Sequence, residues 1–283
     1  MSSSRIRIGV VAPASPMDRS TANRVAALAA DLYPHHRVEL FFHSQCFESW
    51  GHFAGTDDQR AQAFMEVADD ESFDAVWFGR GGYGSCRIAE RVASQAKPVA
   101  RRKTYLGYSD MGSLLAALYG QGFLRLAHGP MPSDINRDGG EAAVARALAF
   151  LVEGAASALE PTVLGGAPCA AFNATILSHL LGTPLQPDLA GHVLMLEEVS
   201  EHMYRLDRDL FHITSNLGIR KVAGIMLGRC SDIPPNQPEF GQTEEEVARH
   251  WCAVSKIPYL GRADIGHDIH NTVVPFGRWP WMA

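Results

Sequence analysis

The sequence predicts an α/β fold: an N-terminal parallel-sheet unit of βαβ, flavodoxin-like type, followed by a C-terminal mixed α/β unit. Three observations predict it. Short apolar runs alternate with amphipathic stretches from residue 5 to residue 130, the rhythm of βαβ units with right-handed crossovers. Turns rich in glycine, or bearing a lone serine, follow those runs directly, where a parallel sheet presents its carboxyl ends. The character then changes, and a small, glycine- and proline-bearing stretch from Gly154 to Pro168 reads as a linker. The expected division is therefore 1–155 and 156–283.

Residues 5–12 read as a buried strand ended by Pro13, and Asp18 to Leu32 as an alanine-rich amphipathic helix. Val38 to Phe42 is a second strand. His43 to Gly55, holding Cys46, Trp50 and His52, is expected to be a solvated connection anchored by its one tryptophan. Thr56-Asp57-Asp58 opens a helix to about Asp69; Thr56 or Asp57 can cap it, and early acidic charge suits the helix dipole. Phe73 to Phe78 is a third strand, Ser85 to Ser94 a helix, 104–107 a strand, Met111 to Tyr119 a helix and Leu124 to His128 a further strand. Glu141 to Val152 is an alanine-rich helix. Beyond the linker, residues 172–181 read as a helix stopped at Gly182-Thr183-Pro184. His192 to Val199 reads as an apolar strand ending in two carboxylates. Tyr204 to Leu217 is a helix, 222–228 a strand, and 258–261 a short strand. Between the last two lies a helix over 243–254, where Thr243 and Glu246 match a capping box.

Composition narrows the function classes. Hydrophobic residues at 46% and charged residues at 20% fit an ordinary globular chain able to bury a core without staples. The formal net charge of −6 argues against a nucleic-acid binder. No stretch reaches the length of a membrane span, and the first residues do not read as a signal peptide. Five scattered cysteines without Cys-x-x-Cys spacing fit reduced thiols and give no zinc pattern. No metal or cofactor is expected.

The candidate chemistry centres on Gly107-Tyr108-Ser109-Asp110. A serine between a strand and a helix has its hydroxyl held clear of the backbone, with the following N–H groups aimed at whatever it attacks. Serine is also a favoured helix cap, so the turn alone leaves both roles open. Gly79-Arg80-Gly81-Gly82-Tyr83-Gly84 matches Gly-x-Gly-x-x-Gly after a strand and before a helix. It lies on the third strand and lacks a suitably spaced acidic partner, which weakens dinucleotide binding. Its backbone N–H groups can instead form half of an oxyanion hole. Glu197 ends an apolar strand and would hold an imidazole in one tautomer if the two met. His267 follows Gly266 at the end of a short apolar turn; among the twelve histidines, His128 and His270 compete with it.

Several segments together resemble the serine LD-carboxypeptidase family, which includes the microcin-immunity peptidases. They are the glycine loop, Gly107-Tyr108-Ser109-Asp110, His128-Gly129-Pro130, Gly182-Thr183-Pro184 with Pro187-Asp188, Leu196-Glu197-Glu198-Val199, Tyr204-Arg205-Leu206-Asp207-Arg208, and Gly266-His267. The resemblance implies a Ser109–Glu197–His267 triad and an oxyanion hole from the N–H groups of Gly82 and Asp110. It further implies a homodimeric, cytoplasmic enzyme that removes a terminal D-alanine from a muropeptide during cell-wall recycling. Arg80, with Gly81 and Tyr83, is the candidate substrate contact, the guanidinium pairing with a terminal carboxylate. The chain departs from the family pattern at Glu198, where aspartate is usual, at Gly112, and after His267. Two alternatives stand beside this reading. One keeps the machinery but cleaves an amide of a peptidyl or aminoacyl nucleotide. The other is a nucleotide- or sugar-binding module built on the Gly79–Gly84 loop.

Overall fold

The structure is a computed structural model that describes residues 5–34 and 37–281. Its first half alternates as the sequence predicts: β1 (Ile6–Val11), α1 (Arg19–Leu32), β2 (Val38–Phe42), α2 (Asp57–Ala68), β3 (Ala75–Phe78), α3 (Cys86–Gln95), β4 (Thr104–Leu106), α4 (Met111–Gly120), β5 (Leu126–His128) and α5 (Glu141–Glu153). The first five strands lie in the order β2-β1-β3-β4-β5, all parallel, which is the flavodoxin-like order. A parallel sheet is covered on both faces, so its central strands are apolar without alternation; all four residues of β3 are buried. The strand order reverses between β1 and β3, and the carboxyl ends of those strands frame a crevice there.

The second half carries β6 (Cys169–Asn173), α6 (Ala174–Leu180), β7 (Val193–Val199), α7 (Met203–Ser215), β8 (Gly224–Ser231), α8 (Glu244–Ser255) and β9 (Tyr259–Arg262). These strands form a second parallel sheet in chain order, β6-β7-β8-β9. The last strand, β10 (Val274–Pro275), returns to the first sheet and pairs antiparallel with β5, Val274 opposite His128. Two residues on, Gly277 and Cys169 exchange backbone hydrogen bonds, 2.9 Å each way. The chain thus stitches the two sheets together.

Two expectations are corrected. Residues 172–173 end a strand instead of starting a helix. The side chain of Asn173 accepts from Ile176 N at 3.1 Å, so α6 begins one residue later, with asparagine as its cap. Glu198 accepts from Thr175 N at 2.8 Å and Asn173 Nδ2 at 2.6 Å, placing a buried carboxylate at that helix N-terminus. The second correction concerns 43–55. A short helical turn over Ser44–Phe47 buries Gln45, whose amide bonds to both backbone groups of Ala12 and to Ala54 O. Gln45 is the anchor, while Trp50 stands 54% exposed. Gly112 also gains a reason. A Cβ there would lie 3.2 Å from both Phe172 and Ile176, so α4 packs closely on the second half only because the position has no side chain.

Candidate active site

Four residues must turn the chain between the end of β4 and the start of α4. Tyr108 is buried, and its hydroxyl donates to Asp134 Oδ1 at 2.7 Å. Ser109 takes φ 61°, the left-handed region that residues with a Cβ avoid. This conformation carries its side chain out of the strand-to-helix path. It faces a cavity of about 480 Å³ also lined by Arg80, Gly81, Gly82 and His267. The next residue, Asp110, is buried and ties the turn to the glycine loop. Its carboxylate accepts from Ser85 N at 2.8 Å, and Ser85 Oγ donates to its carbonyl at 2.5 Å.

Glycines are needed where the loop approaches this turn. A Cβ on Gly81 would lie 3.1 Å from Ser109 Oγ, and one on Gly82, at φ 103°, would lie 2.2 Å from Ser15 Oγ. Among the described residues, the N–H groups of Gly82 and Asp110 donate to no other backbone or side-chain group. Arg60, fully buried on α2, braces the loop: its guanidinium donates to Gly84 O at 2.8 Å and to Pro13 O, and pairs with Asp57. The exits of β1 and β3 are thereby held to one cation.

The second half contributes a carboxylate–imidazole pair. Glu197, fully buried near the end of β7, places Oε2 2.5 Å from Nδ1 of the buried His267. Burial alone would lower the imidazole pKa; the charge and hydrogen bond of Glu197 outweigh it and hold the pKa above the ordinary value, with Asp134 and Glu198 adding to the effect. The loop carrying His267 is braced from two sides. Arg229 on β8 pairs with Asp264 and Asp268, and Arg146 on α5 donates to the carbonyls of Ile269 and Asn271, 2.9 Å each. The ring of Tyr108 packs on His267 with centroids 4.7 Å apart.

Of the residues singled out from sequence, Ser109, His267, Arg80, Gly81 and Gly82 line one cavity, and Glu197 stands behind His267. No direct hydrogen bond joins Ser109 Oγ to His267 among the described residues. Tyr83 does not line the cavity; its ring is half exposed beside His52 and Phe53. The competing histidines separate clearly. His270 is exposed, whereas His128 is buried with Nε2 unpartnered, and burial pushes its pKa down to about 4.

Sequence reasoning passed over Asp134 and Arg137. Asp134 is buried at the cavity wall and accepts from Tyr108, from Met131 N at 2.8 Å and from Arg137 Nε at 3.1 Å. Nothing in the local pattern marks it beyond its position after His128-Gly129-Pro130. Among the described residues no cluster of three or more histidine, cysteine, aspartate or glutamate side chains has metal-binding geometry, and no helix is long and apolar enough to cross a membrane. Chemically, an imidazole held by a buried carboxylate can take a proton from a group in the cavity and return it.

The LD-carboxypeptidase N-terminal domain matches residues 8–129, and the LD-carboxypeptidase C-terminal domain matches residues 166–280. A murein tetrapeptide carboxypeptidase of Pseudomonas aeruginosa is 27% identical over 96% of this chain and 91% of its own length. A murein peptide carboxypeptidase of Bacillus subtilis, described as probable, is 28% identical over 95% of this chain and 86% of its own. A muramoyltetrapeptide carboxypeptidase from Oxalobacter formigenes shares the fold at TM-score 0.76 and 23% identity, over 95% of this chain and 93% of that one. The microcin C7 self-immunity protein shares it at 0.76 and 17%, over 96% and 91%. With both halves matched in order, the chain belongs to the LD-carboxypeptidase family of hydrolases.

Proposed function

We propose that the protein is a serine-type LD-carboxypeptidase, hydrolysing the amide bond before the C-terminal D-alanine of a muropeptide released into the cytoplasm. The observation that carries this reading is the buried Glu197–His267 hydrogen bond of 2.5 Å, whose imidazole shares a cavity with the left-handed Ser109. His267 takes the proton of Ser109 as its oxygen attacks the amide carbonyl. The developing oxyanion is met by the N–H groups of Gly82 and Asp110, each worth a few kcal/mol of transition-state stabilisation. His267 then gives the proton to the departing D-alanine nitrogen. Water, activated by the same imidazole, releases the acyl group from Ser109. Arg80 and Arg137 line the cavity and supply cations for the free carboxylate of the substrate.

The test is release of D-alanine from a muramoyl tetrapeptide by the purified protein. Turnover is expected with the free acid, is lost when the terminal carboxylate is amidated, and is abolished in a folded Ser109→Ala variant. Undiminished turnover by Ser109→Ala would sink the serine mechanism. Hydrolysis of an aminoacyl-sulfamoyl nucleoside but not of the muropeptide would sink the substrate assignment and leave the machinery standing.

A further inference from the structure

A run of aromatic rings begins at Tyr83, the residue after the cavity-lining Gly82, and takes no part in the reaction steps above. Trp50 and Phe53 exchange backbone hydrogen bonds of 2.8 and 3.1 Å across a tight turn whose Gly51 has φ 59°. The turn is fixed to the β1 exit by Ala54 N, which donates to Ala14 O at 2.9 Å, and by the buried Gln45 amide. The rings form a continuous run. Trp50 stacks on Phe53 at 6.2 Å, Phe53 meets Tyr83 at 6.1 Å, and His52 touches both Phe53 and Tyr83, at 5.3 and 6.2 Å. Phe53 is locked beneath the glycine loop: a Cβ on Gly84 would come within 2.8 Å of it, and the Arg60 and Arg87 guanidinium groups lie over its ring. Trp50 is nevertheless 54% exposed and Tyr83 51% exposed. Exposed Trp50, His52 and Tyr83, joined through the partly buried Phe53, make one patch of the kind that marks a binding surface.

We infer that this patch holds the pyranose ring of the muramoyl group, so that the enzyme grips its substrate at the sugar as well as at the scissile bond. The inference rests on the carboxypeptidase reading for the substrate's identity. Its geometry follows from the length of a tetrapeptide substrate: removing the fourth residue leaves three residues between the cut bond and the sugar, an extended span of roughly 10 Å. The run begins at Tyr83, one residue from the cavity-lining Gly82, and continues to Trp50 through two ring-to-ring steps of 6.1 and 6.2 Å, a reach of the same order as that span. A pyranose presents a face of axial C–H groups that packs on the electron-rich face of an indole or phenol ring. Its hydroxyl and acetamido groups stay at the edge, near His52 and water.

Two measurements test this. The first is calorimetric titration of the N-acetylglucosaminyl–N-acetylmuramic acid disaccharide, which has no peptide to cut. Binding is expected in the unaltered protein, to be lost in Trp50→Ala and to return in part in Trp50→Phe. The second compares kcat/KM for the muramoyl tetrapeptide with that for the free tetrapeptide. The sugar is expected to raise kcat/KM about tenfold; Trp50→Ala should remove that gain and leave the free tetrapeptide unchanged. No binding of the disaccharide by the unaltered protein overturns the inference, as does an equal loss on both peptides. A fall in sedimentation coefficient in Trp50→Ala would assign the patch to a second copy of the chain and overturn it too. If neither peptide is cleaved by the unaltered protein, the carboxypeptidase reading fails, and the disaccharide titration still decides the patch.

Discussion

His267 Nδ1 lies 2.5 Å from Glu197 Oε2, the carboxylate fully buried and the imidazole nearly so. Burial opposes the charged imidazole, and the carboxylate charge and hydrogen bond overcome that opposition, lifting its pKa above 6.5. In the proposed mechanism His267 is the general base, which works only when neutral, so kcat/KM is expected to fall on the acid side with an inflection above pH 6.5. Glu197→Gln keeps the burial and removes the charge. The inflection should then drop below 6.5, and kcat should fall by roughly 10³-fold or more. A pH–rate profile checks both; an inflection that stays put would assign the titration to another group. The same raised pKa stabilises the fold below pH 6.5, and that contribution is lost as pH rises through the folded-state value.

His128 acts in the opposite sense. Its pKa is pushed down to about 4 by complete burial, only partly offset by the charge of Glu197. The unfolded chain therefore binds a proton here between pH 6.5 and 4 that the folded chain refuses, and stability falls with acid across that window. The shift corresponds to about 3 kcal/mol at its full extent. His267 contributes a constant amount in the same window, so it does not mask the slope. His128→Gln should flatten the fall in melting temperature between pH 6.5 and 4. A slope unchanged in that variant would place the titration elsewhere.

How much of this was legible from residues alone depends on the distance over which each feature is decided. The βαβ half is written locally, in apolar runs and in caps such as Thr56 and Thr243, both of which form capping boxes. The Ser109 turn is local too, because a strand, four residues and a helix define it. Cys169-Ala170-Ala171-Phe172-Asn173 is different. Its first three residues are small and all five are buried, so the segment carries neither alternation nor a helical stripe, and only pairing with Val193–Glu197 makes it a strand. The two-residue β10 exists because β5 offers an open edge. Arginine reads as a surface residue, which hid Arg60 at the centre of the loop packing and Arg146 behind the His267 loop. The pairing of Glu197 with His267, seventy residues apart, is a property of the folded chain.

Ser109 holds φ 61°, which costs a residue with a Cβ about 1 kcal/mol or more. Glycine accepts that conformation without strain. Ser109→Gly is therefore expected to be more stable than Ser109→Ala by about 1 kcal/mol while both lose turnover. Denaturant unfolding of the two variants, compared at equal m-value, measures the difference. Equal stabilities would show that the turn relaxes without the serine side chain, and that the left-handed conformation is not imposed by the loop packing around it.

Arg146 sits on α5 in the first half of the chain, while the loop it holds lies in the second. One of its guanidinium nitrogens donates to both Ile269 O and Asn271 O at 2.9 Å, two and four residues after His267. Across that loop Arg229 supplies the opposing brace through Asp264 and Asp268. Removing Arg146 leaves two carbonyls without their charged donor and lets the His267 turn move relative to Ser109. A misplacement of about 1 Å between reacting groups costs on the order of 10²-fold in rate. Arg146→Ala should therefore lower kcat by 10- to 100-fold (roughly, on that scale) with KM little changed, because Arg146 does not line the cavity. The acid inflection of kcat/KM should also fall, since a looser loop weakens the Glu197 hydrogen bond that holds the imidazole pKa up. Arg146→Lys keeps a single donor within reach of both carbonyls and should recover part of the rate. A rise in KM at constant kcat, or a loss of melting temperature with no change in the pH profile, would show that Arg146 fastens the two halves together without positioning His267.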